Sequence, residues 1–270
     1  MHLKSTVLRY FIEFAYNGTA YHGWQKQNNV PSVQEVLETK LSLLLRETIA
    51  CTGAGRTDTG VHASQAFAHF DAAEISDIPD TVYRLNAVLP KDIAIRRIIP
   101  VHDDAHARFD AKWRTYHYLI HRNKEVFLEN LSWYFPRKLD VDAMNRAASH
   151  LLGQGDYQCF SKVDTDVHTF ICTIREAHWT EHEGRLMFTI TANRFLRNMV
   201  RAVVGTLLDV GLNRIQEDEV AKIIETRDRR KAGFSAPAHG LYLANIEYDY
   251  IDSVPANFPG TVLNQRQLAK

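Results

Sequence analysis

The stretch Cys51–Ala63 reads CTGAGRTDTGVHA and sets one carboxylate, Asp58, among glycines and threonines two residues after an arginine. Glycine-rich turns commonly cradle phosphates through backbone N–H groups, and the pair Gly53 and Gly55 invites that reading. The spacing denies it. A dinucleotide loop of the form G-x-G-x-x-G requires glycine where Asp58 stands, and a Walker loop requires a G-K-S/T that is absent. A carboxylate at that place also repels phosphate. The glycines instead make the backbone permissive, so that Arg56, Thr57 and Asp58 are presented at a turn. An isolated aspartate among glycines is ordinarily an Asx-turn residue, but its neighbours add a second reading. Arg56 supplies a cation for a phosphate or a carboxylate. His62 either shifts protons or fills the turn, and taken alone it is read as filling the turn.

Outward from this loop, strands and helices alternate. Upstream, VLRYFIEFAY (Val7–Tyr16) is β-branched and aromatic and stops at Asn17-Gly18, which predicts a strand and a turn. Pro31 and Ser32 then introduce a helix over 32–47. Ser32 and Glu35 form an S-x-x-E capping box, and Val33, Val36, Leu37, Leu41, Leu44 and Leu45 recur at helical spacing. Downstream, QAFAHFDA predicts a strand, DTVYRLNAVLP a short helix stopped by Pro90, and DIAIRRIIPV another strand. The second half opens with the strand DAKWRTYHYLIHR, continues through a helix at DVDAMNRAASHLLG ended by Gly153, and returns in the strands TFICTIREAHW and RLMFTITA. A long helix, RFLRNMVRAVVGTLLDVG, follows from Arg194 to a stop at Gly211. Both halves mix α and β. The element order divides the chain into 1–106, which carries the Asp58 loop, 107–250, and a loosely held tail over 251–270 that is rich in proline and polar residues.

At 270 residues with 45% apolar composition the chain has ample material for a core. The N-terminus lacks a long apolar run behind a basic start, and nothing reaches the roughly 18 uninterrupted apolar residues of a membrane span, so the expectation is a soluble cytoplasmic protein. Cys51, Cys159 and Cys172 are odd in number and widely spaced, which argues for reduced thiols over a disulfide framework or a structural zinc site. Lys plus Arg equals Asp plus Glu, so net charge identifies no partner. Local clusters carry more: RDRRK (Arg227–Lys231), KWR (Lys112–Arg114), and Arg194, Arg197 and Arg201 make a polyanion plausible beside the plainer reading of solvated surface charge.

Three further features bear on chemistry. HDDAH (His102–His106) imitates the spacing of helical zinc sites, but it follows Pro100 at a strand end and has no clear third ligand, so it reads as a surface loop. No G-x-S-x-G elbow supports a serine hydrolase. On the predicted helix from Arg194, Arg197 and Arg201 share a face while Phe195, Met199, Val203 and Leu207 lie on the apolar side. Cations in the first turns of a helix are unfavourable unless an anion meets them, either a carboxylate or an RNA phosphate. Tyr116 and Tyr118 share one face of their strand, and such rings either pack in the sheet or stack on a base beside a catalytic carboxylate.

Taken together these segments resemble the TruA-type tRNA pseudouridine synthases. GRTDTGVHA (Gly55–Ala63) resembles the family's signature around its catalytic aspartate. YHGWQKQ (Tyr21–Gln27) and SVQEVLE (Ser32–Glu38) resemble its N-terminal segments, HARFDA (His106–Ala111) its middle motif, and MVRAVVGTLLDVG (Met199–Gly211) with GLYL (Gly240–Leu243) its C-terminal ones. The likeness runs in order over most of residues 8 to 249. It stops before the tail, and just before Met199 the family varies, so no role passes to Asn198.

The resemblance implies an α+β pseudouridine synthase fold, with two related halves sharing a central antiparallel sheet flanked by helices. It implies isomerisation of uridine to pseudouridine in the anticodon stem-loop of tRNA, at positions 38, 39 and 40, without a cofactor or metal, by a homodimer that holds tRNA across both subunits. In that reading Asp58 is the essential carboxylate, Arg201 its partner, and Tyr116 the ring that stacks on the target base. Arg56 holds the backbone of a flipped nucleotide, Leu241 supplies an apolar wall, and Arg194 and Arg197 contribute with RDRRK to a positive groove. Two rivals stand beside it. A non-catalytic tRNA-binding protein would not need Asp58, and a metal-dependent hydrolase would use Asp58, His62 and the acids of HDDAH.

Overall fold

The computed structural model describes residues 7–163 and 167–252; the expected tail lies, from residue 253 on, outside the described residues. The strands in chain order are β1 (Val7–Tyr16), β2 (Thr52–Gly53), β3 (His62–Ala73), β4 (Ile93–Val101), β5 (Trp113–His121), β6 (Trp133–Tyr134), β7 (Gly153–Asp156), β8 (Ile171–His182), β9 (Arg185–Ala192) and β10 (Leu241–Glu247). The helices are α1 (Val33–Leu45), α2 (Ile78–Val88), α3 (Val141–Ser149), α4 (Met199–Gly211) and α5 (Glu219–Thr226). The strands form one sheet in the order β4-β1-β3-β10-β5-β9-β8-β7, with β2 on β3 and β6 on β5. Along that order every neighbouring pair is antiparallel except β3–β10. The architecture is the expected mix of helices around a large, mostly antiparallel sheet.

Two apolar cores lie along this sheet. One gathers β1, β3, β4 and the face of α1 that carries Val33, Leu37 and Leu41, each with 0% exposure; the other gathers β5, β8, β9, α3 and α4. The spacing of Val33, Leu37 and Leu41 brings one stripe of α1 onto the sheet. Ser32 caps α1 as its position predicts, its hydroxyl accepting from the Glu35 N–H. Strand β10 joins the cores. It runs parallel to β3 through Tyr242–His62 and Leu243–Ala63, and antiparallel to β5 through Leu243–Tyr116. Tyr116 packs against both cores.

Two predicted boundaries are corrected. The long helix begins at Met199, not Arg194, because Asn198 takes a left-handed conformation (φ 67°) that a continuing helix excludes. The preceding backbone is held elsewhere: Asn193 exchanges hydrogen bonds with Thr173, and the Arg197 carbonyl accepts from Lys162 N–H. Arg194 and Arg197 therefore stand on a connecting loop, and Arg197 does not share a helix face with Arg201. The helix at 141 ends at Ser149, four residues before Gly153, which at φ 97° opens β7 instead. Ile251, placed at the start of the expected tail, is buried, and Tyr248 bridges to it.

Candidate active site

The Asp58 loop is fixed by its neighbours rather than by its own glycines. Ala54 N–H donates to Phe67 C=O at 2.8 Å, and Gly60 N–H donates to Tyr21 C=O at 3.3 Å. The Thr57 hydroxyl lies 2.8 Å from Tyr16 Oη and accepts from Trp24 N–H at 3.1 Å. The upstream segment must approach closely for this: a Cβ on Gly23 (φ 86°) would stand 2.1 Å from the Thr57 carbonyl oxygen. That is why glycine stands in YHGW. Within the loop, Gly60 adopts φ 76° and Gly53 makes room for the Trp24 ring, whereas Gly55 faces open space.

So anchored, the loop presents Asp58 with 30% of its side chain exposed. Arg197 Nε stands 3.8 Å from Oδ1 and Arg201 Nη1 stands 3.7 Å from Oδ2, one cation at each oxygen. The anion that excuses arginines near the start of α4 is this carboxylate. Both distances exceed a hydrogen bond, and among the described residues Asp58 makes no side-chain hydrogen bond. The two cations thus attract the carboxylate while its lone pairs stay free. Arg201 is held by its own donation from Nε to Ala236 C=O at 2.6 Å and by Ala236 N–H donating back to the Arg201 carbonyl at 3.0 Å.

Tyr116 stands two strands from β3 in the Leu243 register, roughly 10 Å across the sheet from where the Asp58 loop enters it. Its half-buried ring meets Phe195 edge-on at 5.0 Å. Burial first, and then the nearby charge of Asp58, push its hydroxyl up to about 12 against the opposing charge of Arg114, so it is a neutral donor at pH 7.

The remaining predicted residues fall unevenly. Arg56 is exposed on the loop and Arg194 is half-buried in the connection before Arg197. Leu241 is 6% exposed within the second core, at the start of β10. His62 takes the structural role preferred for it. Its Nδ1 accepts from Gly18 N–H at 3.0 Å, its Nε2 reaches His239 C=O at 3.1 Å, and its ring stacks on Tyr242 at 4.6 Å. Burial pushes it toward the neutral form. HDDAH is a turn in which His102 bonds Asp104 and His106 Nδ1 accepts backbone N–H groups from Arg108 and Phe109. Tyr118 belongs to the core and donates to Pro237 C=O at 2.8 Å.

The three arginines of RDRRK make contacts within the protein, although Arg227 and Arg230 stay exposed at the surface. Arg227 pairs with Asp156 at 3.1 Å, Arg229 donates to Ala232 and Gly233 carbonyls and to Ser235 Oγ, and Arg230 grips Asp228 at 2.8 Å. Sequence reasoning missed what these contacts support. Asn198 donates to the same Ser235 Oγ at 2.7 Å, which ties the loop before α4 to the segment that orients Arg201. Gly205 permits this, since a Cβ there would stand 1.8 Å from the Phe234 carbonyl oxygen. The sequence offered only a glycine inside a helical pattern as a signal.

The chain that carries this loop carboxylate and its two arginines also matches a known family over most of its length. The family model for tRNA pseudouridine synthase matches residues 13–110 and 147–249. The chain belongs to the tRNA pseudouridine synthase family. Among its relatives, tRNA pseudouridine synthase A of Porphyromonas gingivalis is 49% identical over 247 residues, covering 89% of this chain and 97% of that protein. The proteins of the same name from Bacteroides thetaiotaomicron and Bacillus subtilis are 50% and 40% identical, covering 89% and 92% of this chain and 90% and 100% of theirs. The two segments matched by the synthase family model contain Arg56, Asp58, Arg194, Arg197, Arg201 and Leu241, with Tyr116 between them.

Proposed function

We propose that this pseudouridine synthase family member isomerises uridine to pseudouridine in the anticodon stem-loop of tRNA, at positions 38, 39 and 40, with Asp58 as the reacting carboxylate. The observation that carries the reading is the setting of Asp58: flanked by two arginines at 3.8 and 3.7 Å, partly exposed, and hydrogen-bonded by neither. The reaction breaks the C1′–N1 bond, turns the uracil, and joins C1′ to C5; the hydrogen on C5 leaves as a proton and N1 gains one. Nothing is oxidised and no cofactor is called for. Asp58 adds to the sugar or the base, or takes the proton from C2′ or C5, and each route needs a free carboxylate oxygen.

In this reading Tyr116 stacks on the uracil, Arg56 holds the backbone of the flipped nucleotide, and Arg194 and Arg197 meet phosphate. Leu241 backs the apolar wall from within its core. The division into halves at 107 belongs to this reading, with the two cores exchanging residues across it: Leu243 and Ile246 pack in the first core and Val61 in the second. The partners are tRNA and a second copy of the chain, in the cytoplasm; no helix of the described residues is long and apolar enough to cross a membrane. The non-catalytic alternative gives Asp58 nothing to do, and the hydrolase loses His62, whose ring nitrogens are both engaged.

Tritium release from tRNA carrying uridine labelled at C5 tests the reading, with the intact protein compared with Asp58→Asn in the presence of a chelator. Release by the wild type alone supports it. Binding of tRNA without release would leave the non-catalytic alternative.

A further inference from the structure

Arg114 belonged, in the sequence, to a cluster suited to a polyanion. The structure turns its guanidinium inward onto four backbone carbonyls. It donates from Nη1 to Ala111 at 3.1 Å and Asn193 at 2.9 Å, and from Nη2 to Ala54 at 3.1 Å and Arg108 at 2.7 Å. No carboxylate pairs with it among the described residues. A buried cation is costly unless its donors are satisfied, and a planar fork satisfies several carbonyls where an ammonium does not.

The four carbonyls belong to three separate segments. Ala54 lies four residues before Asp58, Asn193 lies four before Arg197 and directly before Arg194, and Arg108 and Ala111 lie in the connection from β4 to β5. Arg114 also sits two residues before Tyr116, on the same face of β5. One side chain therefore joins the loop that carries the carboxylate, the loop that carries one of its arginine partners, and the strand that carries the tyrosine.

We propose that Arg114 is a positioning residue that sets the distance between Asp58 and Arg197 by clamping the backbones of their two loops, without itself touching RNA. The proposal rests on the isomerase reading above. Its cause is geometric: a carboxylate kept just beyond hydrogen-bond distance of its arginines needs both backbones fixed, and the guanidinium is the group bonded to both. Burial by the same segments disfavours its charged form, which is consistent with a group that trades solvent for carbonyl oxygens.

The experiment uses Arg114→Lys and Arg114→Gln in the full chain. It measures thermal melting, tRNA affinity across a salt series, and single-turnover tritium release at saturating tRNA. Lysine keeps the charge without the fork. Glutamine removes the buried charge and so guards against a misfolded lysine variant. The expected result for a folded variant is tRNA affinity within about threefold of wild type, an unchanged salt slope because no phosphate contact is lost, and single-turnover release slowed by about fivefold to tenfold, no more than removal of Arg197 itself. Combined with Arg197→Ala, the losses should be less than additive, because both act on one contact.

A folded variant that releases tritium at the wild-type rate overturns the proposal. So does a salt slope reduced by about 1, which would make Arg114 a phosphate contact. Additive losses, or failure of both variants to fold, would likewise assign it another role. No release by the wild type itself would sink the isomerase reading instead.

Discussion

Asp58 and Asp71 are both aspartates facing arginine, and the protein treats them differently. Asp71, at the outer end of β3, is gripped by Arg9 in two parallel hydrogen bonds of 2.7 and 2.8 Å, which hold its carboxyl below the usual range. Asp58, just before the inner end of the same strand, has two arginines at 3.7 and 3.8 Å and no hydrogen bond to either. The first arrangement uses the carboxylate's lone pairs to tie backbone segments together. The second supplies the electrostatic field and leaves the lone pairs for a reactant. Buried Glu13 marks the structural extreme: 2% exposed, it accepts from Gln65 at 2.9 Å and is bonded by Arg97.

Substitutions should separate these uses of charge. The largest effect is expected at Asp58→Asn, which should lower tritium release by about 10⁴-fold or more while the melting temperature stays at or above that of the wild type. A variant that keeps even a tenth of the activity would break the comparison. Next, Arg201→Ala should cost about 10²-fold in kcat/KM, and Arg197→Ala, with its more exposed side chain, about tenfold. Equal losses at the two positions would show that exposure is the wrong measure of their roles.

Glu13→Ala should reverse the pattern. It should destabilise the protein by about 3 kcal/mol in urea titration, through the cations and amide it leaves unmatched, with release per folded molecule retained.

Acid should act on histidine next. Burial holds His69 down to about 4, and its Nδ1 accepts from Ala107 N–H, which protonation would forbid. His117 is likewise held to about 4. As pH falls, the unfolded chain takes up these protons first, near 6.5. Stability is therefore whole above 6.5 and is lost between 6.5 and about 4. Melting temperatures measured across that window should fall, and a flat profile would contradict the neutral histidines.

The smallest effect is expected at Asp71→Asn, a partly exposed pair whose removal should cost less than about 1 kcal/mol and leave release unchanged. An activity loss there would show that the outer end of β3 communicates with the inner end.

Much of this molecule is written locally. The strand over Val7–Tyr16 matches its predicted bounds, and the cap at Ser32 and the apolar stripe of α1 follow from side-chain period and a single hydroxyl. Asp58 and Arg201 stood out because a carboxylate in a glycine-rich turn, and arginines near a helix start, each break a local preference that their meeting restores. The helix start at Arg194 misread the sequence because RFLRN has helical periodicity; tertiary hydrogen bonds to Asn193 and the Arg197 carbonyl, with Asn198 left-handed, hold it as a loop. The strand over Leu241–Glu247 escaped a reading by pattern because it is covered on both edges, and α5 because it is short.

The sequence by itself determined which residue types and periods were available: a mixed α and β chain, a carboxylate loop, and cations to answer it. Only the tertiary structure decided which cations answer. Arg197 and Arg201 reach Asp58 across more than 130 residues of chain, while Arg114 and most of RDRRK turn to carbonyls and acids at home. The physical reason is that hydrophobic period fixes what a segment buries, whereas the partner of a long charged side chain depends on backbones brought together by the whole sheet.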